Sequence, residues 1–240
     1  KRKSVTSNSS DHKAMAKSIL KNSFSLCRNL NSPDKFGIDA IGCLTDNPNL
    51  YFYYVIDGHG GCPNSDILVK NFQAYVLSLK DTFTQLNNTA QDIQNFFKSL
   101  IENFYIEHRG KLRPAAMSIL MVIFSPTQIY SAHLGDCRLG KINNKQQINW
   151  ITYPHNLAMS LNSHTDPQNI EIALRSSIQD NIVTKSFNTR KLKPLSLMTF
   201  DIDKTATYIL ASDGFWKLPE NEIKTIIYSN KLSKDSLLFD

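Results

Sequence analysis

Apolar runs separated by a polar turn predict the first two strands of a sheet. Residues 37–44 alternate loosely between apolar and small residues, and residues 46–49 supply a turn. Residues 50–56 then form an unbroken run of aromatic and β-branched side chains. Because this second run has no polar alternation, we expect it to be buried on both faces.

Two stretches with helical spacing follow the second strand. Apolar side chains recur every three or four positions in residues 68–79, and the same spacing is stronger in residues 93–105. The polar break at Asn87 and Asn88 makes the two helices antiparallel neighbours. Each apolar stripe is expected to lie on a sheet.

Strand patterns dominate the second half of the chain. Residues 117–124 and 129–134 predict a buried hairpin, and further strands are predicted at residues 138–142, 147–152, 195–200 and 207–211. Residues 154–169 are polar and irregular, which predicts a long surface loop. Pro219 and the acids behind it begin a final helix. This order of elements predicts an α+β fold with antiparallel sheets.

Length and charge distribution restrict the class of protein. A chain of 240 residues that is 41% hydrophobic fits one sizeable globular domain, and its apolar runs are too short to cross a bilayer. The net charge of +6 comes from residues 1–35, which carry eight Lys or Arg and two acids. We therefore predict a flexible basic arm over residues 1–24 and a neutral domain over residues 25–240 that binds neither nucleic acid nor membrane.

The cysteines indicate the cellular compartment. They are scattered, without a Cys-x-x-Cys pair, as is typical of free thiols in a reducing environment. They are Cys27, Cys43, Cys62 and Cys137. We predict a cytoplasmic protein, and the basic arm leaves a nuclear address open as the alternative.

The second predicted strand ends in a carboxylate and a glycine-rich turn, residues 57–61, which read Asp-Gly-His-Gly-Gly. A carboxylate at the end of a buried strand favours a cation there, since an unpaired buried charge is costly. Glycines expose backbone carbonyls, which suit hard cations, and His59 would be placed for proton transfer. Read alone, the segment is also compatible with an ordinary Asp-Gly turn.

Two further predicted strands end in the same way. The strand at residues 129–134 is followed by Gly135 and Asp136, and the strand at residues 207–211 is followed by Ser212 and Asp213. A divalent metal cluster needs acids that converge from different elements. Although an Asp-Gly pair alone is a common turn, three such strand ends together predict a metal centre.

These three segments, in this order and at these separations, resemble motifs of the 2C-type metal-dependent protein phosphatases, the PPM family. They read Tyr-Val-Ile-Asp-Gly-His-Gly-Gly at residues 54–61, Ser-Ala-His-Leu-Gly-Asp-Cys-Arg at 131–138, and Leu-Ala-Ser-Asp-Gly-Phe-Trp at 210–216. The resemblance covers about residues 25–230. It implies two packed antiparallel sheets flanked by pairs of antiparallel helices, an α-β-β-α sandwich, which agrees with the predicted order of elements.

The resemblance also implies metal ligands. Asp57 resembles the carboxylate that bridges two Mg²⁺ or Mn²⁺ ions, and Gly58 resembles the residue that contributes a backbone carbonyl. Asp213 looks like a ligand of one of these ions, and Asp136 resembles the residue that joins it in holding a third, weaker ion. Asp34 lies where the family has an early acidic pair that supports the attacking water.

Two residues are assigned to the chemistry of the phosphate. His59 resembles the general acid that protonates the departing seryl or threonyl oxygen. Arg28 is the only arginine close to the first motif in the sequence, and a guanidinium there would orient the phosphate bidentately. Together with Asp57 these residues form the expected catalytic set.

The chain also departs from the family pattern. The arginine of the early motif falls on Asn29, and the first acid of the early pair is Pro33. The terminal Asp-Asn pair expected on a last strand has no counterpart, since residues 46–47 and 180–181 both come too early. We therefore expect either a domain that lacks its last strand or a degenerate metal site.

The implied function is metal-dependent dephosphorylation of phosphoserine and phosphothreonine in a phosphoprotein substrate, by a monomer. The alternative is a catalytically impaired member of the same fold that binds partner proteins, which Asn29, Pro33 and the missing terminal acid favour. The chain has no Walker-type loop, no His-Glu-x-x-His and no Gly-x-Ser-x-Gly, so nucleotide, zinc-protease and hydrolase-elbow sites are excluded.

Overall fold

The structure is a computed structural model that describes residues 39–162, 166–176 and 181–232. The described residues belong to two compact units, one running to Lys217 and one beginning at Leu218. The predicted basic arm over residues 1–24 lies outside the described residues. The bounds of the predicted domain, residues 25–240, therefore stay a prediction.

Two antiparallel sheets form the centre of the first unit. The larger sheet has the spatial order β1-β2-β3-β4-β8, with the short β7 beside β3, and the smaller has the order β6-β5-β9. The strands are β1 (Ala40–Leu44), β2 (Tyr51–Gly58), β3 (Ala116–Phe124), β4 (Gln128–Leu134), β5 (Arg138–Ile142), β6 (Ile148–Trp150), β7 (Phe187–Asn188), β8 (Ser196–Asp201) and β9 (Thr207–Ala211). The predicted antiparallel α+β fold is confirmed.

Helices cover the outer faces of both sheets. The helices of the first unit are α1 (Ser65–Ser78), α2 (Lys80–Thr84), α3 (Ala90–His108), α4 (Leu157–Leu161), α5 (Pro167–Ser176) and α6 (Asp213–Trp216). Apolar side chains of α1 and α3 pack with those of β2 and β3 into the main core. A second cluster, which includes Val55, Leu120 and Leu139, lies between the sheets, and a third joins the smaller sheet to α4, α5 and α6. These layers form the predicted α-β-β-α sandwich.

The second unit contributes α7 (Glu220–Leu232), with two acids in its first turn. This agrees with the final helix predicted to begin after Pro219. Among the helices of the described residues, none has both the length and the apolar character needed to cross a bilayer.

The prediction of a long surface loop at residues 154–169 is wrong. It contains α4 and the start of α5, and both Asn156 and Ala158 are fully buried. The Asn156 side chain accepts a hydrogen bond from the Met159 backbone N–H at 2.8 Å and so caps α4. A helix of five residues is too short to show a helical period in the sequence, which explains the error.

Arg138 joins the smaller sheet to its helices. Its fully buried side chain donates from Nε to the Thr152 carbonyl at 2.9 Å and, bidentately, to Glu171 of α5 at 2.6 and 3.0 Å. The guanidinium lies 5.0 Å from the ring centroid of Trp150 and 5.1 Å from that of Trp216. Because a buried guanidinium is costly unless its donors are paired, these contacts hold α5 and α6 in place against β5.

Replacing Arg138 with Lys should lower the free energy of unfolding by about 2–3 kcal/mol, because an ammonium cannot reproduce the planar fork and leaves Glu171 poorly paired. Urea unfolding measures the effect. The control is Arg109→Lys, the same change at an exposed position, which should cost less than about 0.5 kcal/mol. Equal losses for the two variants would contradict the role given to Arg138.

Candidate functional site

Strand pairing brings two acids together at one edge of the larger sheet. Ala40 at the start of β1 pairs with Ile56 of β2, so the next position along each strand places Asp39 opposite Asp57. The two carboxyl groups share a hydrogen bond. Asp57 also pairs with Ser118 of β3, and directly opposed residues of antiparallel strands lie on the same face of the sheet.

The turn after β4 brings Asp136 to the same place. Ser118 Oγ donates to Asp136 Oδ1 at 2.7 Å and accepts from the Asp136 backbone N–H at 3.2 Å. Gly135 has a φ of 109°, and a Cβ there would lie 2.1 Å from Ser118 Oγ. Only glycine fits this close turn, so its position before Asp136 has a direct structural reason.

The smaller sheet delivers the remaining acid. Arg138 of β5 pairs with Ala211 of β9, so Asp136 and Asp213, each two residues beyond this pair, leave the smaller sheet at the same end. Asp213 begins α6 after the intervening Ser212, and its charge acts on both Asp136 and Asp57. The sequence-predicted residues Asp57, Gly58, His59, Asp136 and Asp213 are therefore brought together from both sheets.

Two contacts join the sheets at this cluster. Ser212 Oγ donates to Asp39 Oδ2 at 2.9 Å, which connects the end of β9 with the start of β1. Trp216 of α6 donates from its indole N–H to the Asp136 carbonyl at 2.8 Å. The acids are thus held by hydrogen bonds from neighbouring elements as well as by strand register.

The carboxyl groups of Asp39, Asp57, Asp136 and Asp213, called the acid cluster below, interact strongly. Desolvation, followed by the negative charges of the other three, raises the pKa of Asp57 to about 10. Desolvation is also the main cause that raises the pKa of Asp39 and of Asp136, and the charge of Asp213 adds to both. Such a cluster must hold protons or bind cations at neutral pH.

The chemistry of the acid cluster fits a hard divalent cation, because its donors are desolvated oxygens that repel one another. Within the part of the chain that the structure describes, no three His, Cys, Asp or Glu side chains stand in the arrangement of a formed metal site. The carboxyl groups are bonded to protein partners instead: Asp57 to Asp39, Asp136 to Ser118, and Asp213 to Lys217. A bound ion would have to replace some of these contacts.

His59 lies directly after β2 and belongs to a chain of hydrogen bonds. Its backbone N–H donates to the Ala116 carbonyl at 3.0 Å, and its Nε2 lies 3.1 Å from Ser118 Oγ. Because the Ser118 hydroxyl already donates to Asp136, its oxygen accepts from His59, which assigns the proton of the neutral ring to Nε2. Desolvation lowers the pKa of His59, and the charges of Asp136 and Asp213 partly oppose this shift.

Two members of the site carry no recognisable motif in the sequence. Asp39 directly precedes β1, and only the β1–β2 register reveals that it faces Asp57. Lys217 donates from Nζ to Asp213 Oδ2 at 2.8 Å. The spacing of four residues between Asp213 and Lys217 on a short helix is the sequence signal that indicates this pair.

Arg28 and Asp34 lie outside the described residues, together with Asn29 and Pro33. Their roles as phosphate ligand and supporting acid therefore stay predictions.

The chain is similar to known phosphatases. The family model described as "Protein phosphatase 2C" matches residues 3–160. The curated "Probable protein phosphatase 2C 11" of Arabidopsis thaliana is 24% identical over 184 residues, covering 71% of this chain and 47% of that protein. The chain thus spans about half the length of this relative.

Solved structures share the fold. The serine/threonine phosphatase Stp1 from Staphylococcus aureus superposes with a TM-score of 0.68 at 19% identity, covering 87% of each chain. The catalytic domain of the serine/threonine protein phosphatase PstP, solved in complex with two manganese ions, superposes with a TM-score of 0.58 at 14% identity, covering 87% of this chain and 82% of that one. These likenesses confirm the sandwich architecture.

A pair of stacked histidines supports the turn that carries Asp136. The rings of His133 and His155 lie 4.3 Å apart at an interplanar angle of 6°, and His155 Nδ1 accepts from the Gly135 backbone N–H at 3.1 Å. Desolvation, with the nearby charge of Lys185 adding to it, lowers the pKa of His133 to about 4. Desolvation, followed by electrostatic repulsion from His133, lowers the pKa of His155 to about 3. Both rings are therefore neutral at physiological pH.

The histidine pair predicts a loss of stability in mild acid. In the unfolded chain these histidines bind protons below the ordinary pKa of 6.5, whereas in the folded protein they bind them only near pH 3 to 4. Protons therefore favour the unfolded state, and the free energy of unfolding falls as the pH decreases. His155→Asn removes one of these groups and should shrink the loss between pH 7.5 and pH 5.0 by roughly 1–2 kcal/mol. Urea unfolding of both proteins at the two pH values measures this, and an equal loss in both would contradict it.

Proposed function

The chain belongs to the protein phosphatase 2C family, and from this premise we propose that it hydrolyses phosphoserine and phosphothreonine esters in proteins with the help of divalent cations. The observation that carries the proposal is the acid cluster, in which Asp57, Asp136 and Asp213 meet from separate strands of two sheets. A fold does not by itself imply an activity, so the proposal depends on the chemistry of these residues.

We assign the metal ligands as follows. Asp57 would bridge two ions, with the Gly58 backbone carbonyl and Asp213 as further ligands, and Asp136 would join Asp213 on the other side of the cluster. Mg²⁺ and Mn²⁺ both suit oxygen donors of this kind. When bound, divalent ions would lower the pKa of the attacking water and screen the phosphoryl charge.

His59 would act as the general acid. Because Ser118 holds the Nε2 proton, the proton delivered to the seryl or threonyl oxygen comes from Nδ1 of the doubly protonated ring. Desolvation lowers the pKa of His59 and so disfavours that doubly protonated form, and the charges of Asp136 and Asp213 partly offset this effect. This assignment gives Ser118 the task of orienting the ring.

Arg28 and Asp34 would complete the site. Arg28 would bind the phosphate bidentately, and Asp34 would support the attacking water. The substrate would be a phosphoprotein selected by surface loops, and the protein would act as a cytoplasmic monomer.

A catalytically impaired protein that binds partners is the second candidate. The observation that favours it is the ion pair of Lys217 with Asp213, which occupies a carboxylate that the phosphatase needs as a metal ligand. The activity assay below separates the two candidates.

The purified chain should hydrolyse p-nitrophenyl phosphate in the presence of Mn²⁺, and EDTA should abolish the reaction. Asp57→Asn should lower kcat/KM by about 10³-fold or more, because the bridging charge is lost. Asp81→Asn, the same change at an exposed position of α2, is the control and should leave kcat/KM unchanged.

Turnover that is insensitive to EDTA, or equal in Asp57→Asn and the parent chain, would overturn the proposed mechanism. Absence of turnover on this ester and on a phosphothreonine peptide, by a folded protein in Mn²⁺, would favour the partner-binding candidate.

A further inference from the structure

Lys217 is held in a defined position beside the acid cluster. Its ammonium donates to Asp213 Oδ2 at 2.8 Å and to Asn181 Oδ1 at 2.8 Å, and it lies 5.4 Å from the ring centroid of Trp216. Its side chain is only 20% exposed. The ammonium of an ordinary surface lysine is surrounded by solvent and forms weak ion pairs, whereas the Lys217 ammonium has protein partners on several sides.

The charge of Lys217 reaches a second member of the cluster. Trp216, whose ring centroid lies 5.4 Å from the Lys217 ammonium, donates its indole N–H to the Asp136 carbonyl at 2.8 Å, so the ammonium lies beside the turn that carries Asp136. The ammonium therefore acts on both carboxylates that the sequence analysis assigned to a third, weaker ion. A single positive charge is already present where that ion would bind.

We propose that the Lys217 ammonium is a built-in cation that takes the place of a divalent ion on the Asp136–Asp213 side of the acid cluster. It neutralises part of the negative charge there, so the divalent ions bind only on the Asp57 side of the acid cluster. This inference rests on the proposed metal centre and specifies how many ions it holds.

Electrostatics gives the expected size of the effect. An ammonium within hydrogen-bonding distance of a carboxylate repels a divalent ion that approaches the same oxygens, and this repulsion is strong where water is largely excluded. Removing the charge should therefore tighten Mn²⁺ binding at that side by about tenfold or more. The parent chain should bind two Mn²⁺ ions.

Mn²⁺ binding to the purified full chain tests the proposal. The number and affinity of bound ions are measured by titration calorimetry and by the electron paramagnetic resonance signal of free Mn²⁺. Lys217→Met should bind one additional Mn²⁺, or bind its weakest ion at least about tenfold more tightly than the parent chain. Lys217→Arg keeps the charge and should match the parent chain.

A second substitution controls for the loss of any lysine. Lys224 pairs with Glu220 at the same spacing of four residues, 2.6 Å apart, on α7. Lys224→Met should leave Mn²⁺ binding unchanged.

A thermal unfolding series gives an independent readout: Mn²⁺ should raise the unfolding midpoint of Lys217→Met more than that of the parent chain, since tighter binding stabilises the folded state more.

The outcomes are distinguishable. Equal stoichiometry, affinity and midpoint shift in Lys217→Met and the parent chain would overturn the role of Lys217 and leave the proposed phosphatase standing. Absence of Mn²⁺ binding by the parent chain and all variants would overturn both.

Discussion

Repulsion among desolvated carboxylates is the constraint on which the rest of the site depends. Two sheets bring acids into one small buried volume, where desolvation, followed by the charges of the neighbouring acids, raises the pKa of Asp57 to about 10. Four contacts among the described residues reduce this repulsion, either by sharing a proton, by donating a hydroxyl or by supplying an ammonium. These contacts are Asp57 with Asp39, Asp136 with Ser118, Asp39 with Ser212, and Asp213 with Lys217. A protein that keeps such an arrangement sacrifices stability for the ability to bind cations.

The packing of the sandwich is what makes this arrangement possible. The apolar cluster that includes Val55, Leu120 and Leu139 fixes one sheet on the other, so the ends of β2 and β9 stay close together. Arg138, bonded to Glu171 and flanked by tryptophans, keeps the outer helices on the smaller sheet.

The long periodic segments of the sequence predict the main elements of the fold, and the residues at the ends of the predicted strands predict most of the site. Continuous apolar runs and strong helical spacing predict the main strands and helices correctly, whereas α4, α5 and α6 are too short or too weakly patterned to be seen. Asp57, Asp136 and Asp213 follow apolar runs and are found for that reason. Asp39 belongs to the site only through the β1–β2 register, which no local pattern reveals, whereas Lys217 is indicated only by its spacing of four residues from Asp213.

The most direct test of the repulsion is the stability of the metal-free protein with and without the Asp57 charge. A carboxyl whose pKa is raised in the folded state costs stability progressively as the pH rises from the ordinary value of 3.8 toward about 10. Unfolding by urea in EDTA at pH 5.5 and pH 8.5 should therefore show Asp57→Asn to be more stable than the parent chain, with the larger gain at pH 8.5. A variant that is less stable, or a gain that is equal at both pH values, would contradict the account.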